Sequence, residues 1–112
     1  MDIIETRSGR TGILTLSGRL DTTSAPALPP RAVALCEGGV GALLTDLQRV
    51  EFLTSAGFRA LIAIRRHAEQ VQVEMVLCGM NEVVHDLFEA SGLLGSFRVC
   101  PDADSAQAAL AR

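Results

Sequence analysis

The sequence predicts an α/β fold: a mostly parallel, mixed β-sheet of about five strands with four helices, in the order β-β-α-β-α-β-α-β-α. Short runs of alternating or β-branched apolar residues recur along the chain, each bounded by Gly, Pro or charged residues. Segments long enough for helices separate the later runs. Such alternation indicates parallel strands joined by crossover helices, whereas the first two runs are close enough to form an antiparallel edge. The 112 residues leave room for a single domain, residues 1–112.

Five runs are the predicted strands. They are residues 2–7 (DIIETR), 12–20 (GILTLSGRL), 41–47 (GALLTDL), 71–79 (VQVEMVLCG) and 96–100 (SFRVC). Gly9 and Gly12 are expected at the turn between the first two. The third run is almost continuously apolar, as burial on both faces requires. We expect it to end at Asp46 and to be followed by a connection that contains Val50 and Phe52.

Four helices are predicted between and after these strands. They cover roughly residues 24–37, 55–70, 81–91 and 102–111. Pro29 and Pro30 cannot lie inside a regular helix, so the first helix should start irregularly and become regular only from about Pro29. Asn81 and Asp102 are expected as N-caps, and Gly92 as the residue that ends the third helix.

The amino-acid composition argues against several functional classes. Ten Arg and no Lys stand against thirteen acidic residues, a net charge of -3, so the chain lacks the basic surface of a nucleic-acid-binding protein. No uninterrupted apolar run approaches the length that spans a bilayer, so no membrane association is expected. The N-terminus lacks the basic segment and apolar stretch of a signal peptide, which favours a cytoplasmic protein.

The usual signatures of enzyme chemistry are weak. A phosphate-cradling loop would need spaced glycines before a helix and a Lys, and EGGVG instead precedes a strand. His67 and His85 have no companion at metal-ligand spacing, so we expect surface or half-buried histidines. Cys36, Cys78 and Cys100 are predicted to be buried as small hydrophobic residues. The sequence therefore indicates a binding domain with no catalytic residues, no metal and no cofactor.

The most informative segment is DLQRVEFLTSAGFRALIAIRRHA, in which a strand is followed by an amphipathic helix. Ser55 falls in the first turn of that helix. Free backbone N–H groups and the helix dipole favour an anion there, so a phosphate on Ser55 would be tolerated. Arg59, four residues on, lies on the same face and could pair with it. The alternative is that the hydroxyl at this helix start is only a cap.

Several separated segments together resemble a known family. LSGRLD is similar to the family's second strand and following loop. DLQRVEFLTSAGFRAL is similar to its pattern of an acidic or Asn residue, an aromatic residue, and a D-S-S-G or S-S-A-G turn into a helix. VEMVLCGMNEVVHDLFEASGLLGSFRV is similar to its last strands and the helix ending in SGL, and ADSAQAALA to its C-terminal helix. The chain resembles, almost from end to end, a STAS domain of the bacterial anti-sigma factor antagonist type.

The resemblance implies specific site residues. The family's phosphoacceptor is the Ser two residues before the turn Gly, which here is Ser55 before Gly57. The position before it is often Asp and is here Thr54, a lesser candidate acceptor. Asp21 matches a loop Asp that contacts the partner, although a turn or cap role is equally open. The implied partner surface combines Asp21, Thr22, Thr54, Ser55, Gly57, Phe58 and Arg59. Phe58 would be its hydrophobic anchor, unless it belongs to the core.

The implied function is partner switching. The unphosphorylated protein would bind an anti-sigma factor that is also an ATP-dependent serine kinase, and so release a sigma factor. A serine phosphatase that requires a divalent metal would reset the switch. Two alternatives remain. The chain could be a non-phosphorylated interaction subunit of a transport or signalling complex, or a module that binds nucleotide weakly at the helix start.

Overall fold

A computed structural model describes residues 1–110 of the chain. Within them, one sheet has the strand order β1-β2-β3-β4-β5, with β1 antiparallel to β2 and all other neighbours parallel. The strands are Asp2–Ser8 (β1), Thr11–Leu20 (β2), Ala42–Leu53 (β3), Glu74–Cys78 (β4) and Arg98–Cys100 (β5). The α-helices of this part of the chain are Leu28–Glu37 (α1), Ser55–Gln70 (α2), Glu82–Ala90 (α3) and Ala103–Leu110 (α4). The predicted element order and mixed sheet are confirmed.

Helices cover both faces of the sheet. α1, α2 and α3 pack on one face through a large apolar cluster that includes Leu43, Leu61 and Phe88. α4 packs on the other face through a smaller cluster that includes Leu44 and Ala106. The neighbouring residues Leu43 and Leu44 belong to different clusters because side chains alternate between the two faces of a strand. This double coverage explains the almost continuous apolar run in β3.

The third strand is longer than the sequence predicts, because it does not end at Asp46. Residues 47–53 continue β3, so Val50 and Phe52 belong to a strand and not to a connection. β2 and β3 pair with two register shifts, one just before Ser17 and one just after Gly18. Each shift inserts an unpaired residue and breaks the period of two. The alternation that identifies a strand is therefore missing from this part of the sequence.

Three other strand boundaries differ from the prediction. β5 begins at Arg98 and not at Ser96, because Leu94–Ser96 form a short 3₁₀ helix. β4 begins at Glu74 and not at Val71, because Val71 is the C-cap of α2 and Gln72 takes a left-handed backbone conformation with φ of 59°. Gly12 lies inside β2, and the turn before it is made by Gly9, whose φ is 60°, and Arg10. The sequence identified the apolar runs but not the backbone geometry at their ends.

The predicted N-caps are confirmed at two helices. The Asn81 Oδ1 accepts the backbone N–H of Val84 at 2.8 Å, and the Asp102 Oδ1 accepts that of Ser105 at 2.7 Å. Each bond satisfies one of the N–H groups that a helix start leaves without a backbone partner. The Asn81 side chain also donates through Nδ2 to the Val50 carbonyl at 2.7 Å, which joins the start of α3 to β3.

The irregular start of the first helix is confirmed as well. A short 3₁₀ helix over Ala25–Ala27 precedes α1, which becomes regular at Leu28. Gly92 has φ of 76° just after α3, as expected of a residue that ends a helix. For the last helix, predicted over residues 102–111, the described part agrees, and residue 111 lies outside the described residues.

The start of α2 lies very close to the end of β2. A Cβ atom on Gly57 would be 2.6 Å from the carbonyl oxygen of Leu20 and 3.0 Å from the Cβ of Leu53. The backbone N–H of Thr54 donates to the same Leu20 oxygen at 3.1 Å. Only glycine permits this approach, because a strand carbonyl has no freedom to move aside.

We therefore expect Gly57→Ala to lower the free energy of unfolding by about 1 to 3 kcal/mol, the usual cost of overpacking a tight contact. Urea unfolding followed by circular dichroism measures it. Gly95→Ala is the matched control, since a Cβ on Gly95 would meet nothing within 4 Å. If the two variants lose the same stability, the contact with Leu20 does not constrain the start of α2.

Candidate functional site

The candidate site lies where β2 and β3 end side by side. Leu20 and Leu53 are paired at the C-terminal ends of these parallel strands. The chain leaves β2 at Asp21, and it leaves β3 through a single residue, Thr54, before α2 begins at Ser55. The carboxyl ends of parallel strands share one edge of the sheet, so the loop after β2 and the start of α2 are neighbours.

Asp21 organises the loop that follows β2. Its Oδ1 accepts the backbone N–H groups of Thr23 and Ser24 at 3.0 and 3.1 Å. The Ser24 hydroxyl lies 3.2 Å from the same oxygen and donates to the Arg19 carbonyl at 2.5 Å. The pKa of Asp21 lies below its ordinary value of 3.8, mainly because the hydrogen bond from the Ser24 N–H favours the charged carboxylate. Asp21 is thus a turn residue in this structure, one of the two roles the sequence left open.

Ser55 is the first residue of α2 and is exposed. Within the described residues its hydroxyl makes no hydrogen bond, so it does not act as a cap. The N-cap position belongs to Thr54, whose backbone is extended with φ of -105° and ψ of -177°. The Thr54 Oγ1 makes no cap bond and is shielded from solvent. Of the two candidate acceptors, Ser55 is the exposed residue, whereas the Thr54 hydroxyl is shielded.

A shallow groove of about 340 Å³ separates the start of α1 from the start of α2. It is lined by Thr22, Ala25, Pro26, Pro29, Ala56, Arg59 and Ala60. The sequence reasoning singled out Thr22 and Arg59 and missed the small residues and prolines. The signal that could have found them is the run SAPALPP, which is rich in small side chains. This run forms a groove only because the fold packs it against α2.

Phe58 is half-buried and packs toward the core. Its ring meets that of Phe88 edge to face, with centroids 4.9 Å apart and an interplanar angle of 71°. Phe88 in turn contacts Phe97, with centroids 5.8 Å apart. Phe58 therefore ties α2 to α3. The sequence left open whether it is an anchor for a partner or a core residue, and most of its surface serves the core.

One contact beside the site has no counterpart in the sequence reasoning. The guanidinium of Arg19 lies 5.6 Å from the centroid of the Phe52 ring, a cation–π contact between the ends of β2 and β3. Arg19 is also the residue whose carbonyl accepts the Ser24 hydroxyl. The pairing depends on the register of Arg19 with Phe52 after the second shift, which the sequence did not reveal.

The residues considered for other chemistry lie apart from this site. Cys36 and Cys78 are buried as predicted, whereas Cys100 is only half-buried. Burial raises the pKa of the Cys78 thiol to about 12. His67 is half-buried and His85 exposed, as expected. Within residues 1–110, no group of three or more His, Cys, Asp or Glu could hold a metal ion, and no helix has the length and apolar character needed to cross a bilayer.

Comparison with known proteins agrees with the fold and the motifs. The STAS domain family profile matches residues 3–106. A protein of Bordetella bronchiseptica, described as a candidate anti-sigma factor antagonist, BtrV, is 33% identical over 97 residues, which cover 87% of this chain and 84% of that protein. The crystal structure of an anti-sigma factor antagonist from Mycobacterium paratuberculosis superposes with a TM-score of 0.85 at 25% identity, covering 99% and 94% of the two chains.

A third relative shares the fold at lower identity. The Bacillus cell fate determinant SpoIIAA in its phosphorylated form superposes with a TM-score of 0.73 at 17% identity, covering 96% of this chain and 99% of that one. The family match spans most of the chain, and the Bordetella relative aligns over nearly all of it. The chain therefore belongs to the STAS domain family, in its anti-sigma factor antagonist group.

Proposed function

We propose that this protein is an anti-sigma factor antagonist that works by partner switching. Unphosphorylated, it binds an anti-sigma factor with serine kinase activity and so releases a sigma factor. Phosphorylation of Ser55 ends that complex, and a serine phosphatase restores it. The protein is then a kinase substrate and a competitor, not an enzyme. The observation that carries the proposal is the exposed Ser55 hydroxyl at the first position of α2, beside the Asp21 loop.

The position of Ser55 suits a charge switch. The first turn of a helix has free backbone N–H groups and the positive end of the dipole, so a phosphate there leaves α2 intact. The phosphate adds about -1.5 to -2 charge to the surface that must be dehydrated when a partner binds. A loss of about 3 kcal/mol weakens binding by roughly two orders of magnitude. The switch therefore needs no change of fold.

The proposed partner surface follows the edge where β2 and β3 end. The exposed residues Thr22 and Arg59 line the groove, and Ser55 directly precedes Ala56, another lining residue, on α2. Thr54 and Gly57 hold the start of α2 against Leu20, and the accessible part of Phe58 adds apolar area. Thr54 stands where the family often has Asp, and its shielded hydroxyl makes it the lesser acceptor.

An affinity capture tests the proposal. Wild type and Ser55→Glu serve as parallel baits in lysate of the source organism, with partners identified by mass spectrometry. We expect wild type to recover an anti-sigma factor kinase and Ser55→Glu to recover at least tenfold less of it, because the added charge opposes dehydration of the surface. Ser105→Glu is the control, since it adds the same charge to the first turn of α4, on the other face of the sheet.

Equal recovery of the kinase by all three baits would contradict a switch at Ser55. If all baits instead recover transporter subunits equally, the protein is an interaction subunit of a transport complex, the alternative that Thr54 in place of Asp favours. Recovery lost with Ser105→Glu as well would indicate a general charge effect and would also count against the proposal.

Removal of the acceptor should lock the complex. We expect Ser55→Ala to bind the recovered kinase with wild-type affinity and to stay bound when ATP is added, whereas wild type is released. Size-exclusion chromatography of the complex with and without ATP measures this. Intact-mass spectrometry is the companion readout, and addition of one phosphate to Ser55→Ala would identify Thr54 or another residue as the acceptor.

The Asp21 loop provides a separate prediction. We expect Asp21→Ala to weaken partner binding about tenfold, because the carboxylate holds the loop that presents Thr22. Asp21→Asn keeps a side-chain oxygen for the same N–H groups and should retain most of the affinity. Isothermal titration with the recovered kinase compares the two. If Asn is as damaging as Ala, the charge of Asp21 contacts the partner directly.

The same carboxylate makes stability depend on pH. The pKa of Asp21 is lower in the folded protein than its ordinary value of 3.8, so its charge stabilises the fold above that pH. This contribution is lost as the pH falls through the lowered folded-state pKa. We expect the stability difference between wild type and Asp21→Ala to be constant from neutral pH to about pH 5 and to shrink below pH 4. Urea unfolding at several pH values measures it, and a difference that grows on acidification would contradict the assignment.

A further inference from the structure

Arg59 carries an unpaired charge at the rim of the groove. It is exposed and lines the groove, and within the described residues its guanidinium has no ion pair, hydrogen bond or ring contact. Arg31, Arg65 and Arg98 are paired with Glu5, Glu69 and Glu74. Arg10, Arg49 and Arg66 are, like Arg59, without a partner among the described residues, but of these four only Arg59 lines the groove. A free cation beside an apolar recess can pair with a carboxylate of a partner and thereby fix the partner's orientation.

The recess itself has apolar walls. Ala56 and Ala60 line it from α2, and Ala25, Pro26 and Pro29 line it from the 3₁₀ helix and the start of α1. Alanine and proline lose little conformational freedom on binding, so the groove is already shaped for an occupant. Its volume of about 340 Å³ suits apolar side chains of a partner segment rather than a whole helix. The matching occupant is a partner segment with an apolar side chain next to Asp or Glu.

Arg59 also lies within reach of a phosphate on Ser55. Four residues separate them on α2, which places their Cβ atoms about 5 to 6 Å apart on one face of the helix. A phosphoserine there offers three strong acceptor oxygens and a double charge. At this spacing, an ion pair between the two would need no movement of the backbone.

We propose that Arg59 is a cation for which the partner and the Ser55 phosphate compete. In the unmodified protein, Arg59 pairs with a carboxylate of the anti-sigma factor while the adjoining apolar side chain fills the groove. After phosphorylation, Arg59 turns to the phosphate and the partner's carboxylate loses its counter-ion and faces a like charge. The inference rests on the proposed function for its partner. The pairing of Arg59 with the phosphate can be measured without one.

The first test uses the protein alone, prepared with phosphoserine incorporated at position 55. ³¹P NMR titration reports the second pKa of the phosphate. We expect this pKa to be lower by roughly 0.2 to 0.4 pH units in the otherwise wild-type chain than in Arg59→Gln, because a nearby cation favours the dianion. Arg66→Gln is the control. Arg66 is exposed on the same face of α2, but about 16 Å further along the helix than Ser55, beyond the screening length of about 8 Å at physiological salt.

Equal pKa values for the wild-type and Arg59→Gln phosphates would overturn the pairing. So would an equal change in Arg66→Gln, since it would show a general field and not a specific contact. Both outcomes are independent of any partner. They therefore distinguish a failure of this inference from a failure of the proposed function.

The second test uses the anti-sigma factor kinase recovered by capture. We expect Arg59→Gln to weaken its binding to the unphosphorylated protein roughly tenfold, with Arg66→Gln unchanged. We expect Ala56→Leu, which fills the groove, to weaken it by a similar factor. The matched control is Ala63→Leu, at an exposed position of the same helix outside the groove. Thermal unfolding of each variant confirms that the fold is kept.

Wild-type affinity in Arg59→Gln would overturn the role of the cation, and wild-type affinity in Ala56→Leu would overturn the groove as the docking site.

Discussion

The architecture of the site depends on the contact of α2 with the carbonyl of Leu20. That oxygen accepts the Thr54 N–H at 3.1 Å and would be only 2.6 Å from any Cβ at position 57. The glycine lets the helix begin one residue after β3 and directly against the end of β2. Because of this, the first hydroxyl of α2 is exposed at the edge of the sheet and lies beside the loop that Asp21 organises. A longer connection would have separated the two segments.

The register shifts between β2 and β3 also place the start of α2 beside the end of β2. Each shift adds one residue on the β3 side, so Leu53 pairs with Leu20 and both strands end at the same edge. A strand that ended at Asp46 would have left a flexible connection before α2. The rigid edge matters for a charge switch. When the surface around a phosphate is preorganised, the added charge alone changes partner binding, and no conformational change of the phosphorylated protein is needed.

The groove and Arg59 extend the candidate site beyond Ser55. Small side chains from the start of α1 and from α2 form the recess, while the loop between β2 and α1 and the exposed face of α2 provide its polar rim. Membership of the family explains the strand, loop and helix order. It does not explain why an exposed arginine follows Ser55 by one helical turn, and the competition between partner and phosphate gives that residue a physical role.

The sequence by itself determined the element order, the antiparallel edge, the caps at Asn81 and Asp102, and the position of Ser55 at a helix start. These follow from local periodicity and from hydrogen bonds between residues close in the chain. The tertiary structure alone decided the length of β3, the packing of Phe58 against Phe88, the Arg19–Phe52 contact and the groove. Each of these depends on the pairing of distant segments or on a register shift that removes the alternation from the sequence. Local sequence patterns do not specify which residues distant in the chain will be in contact.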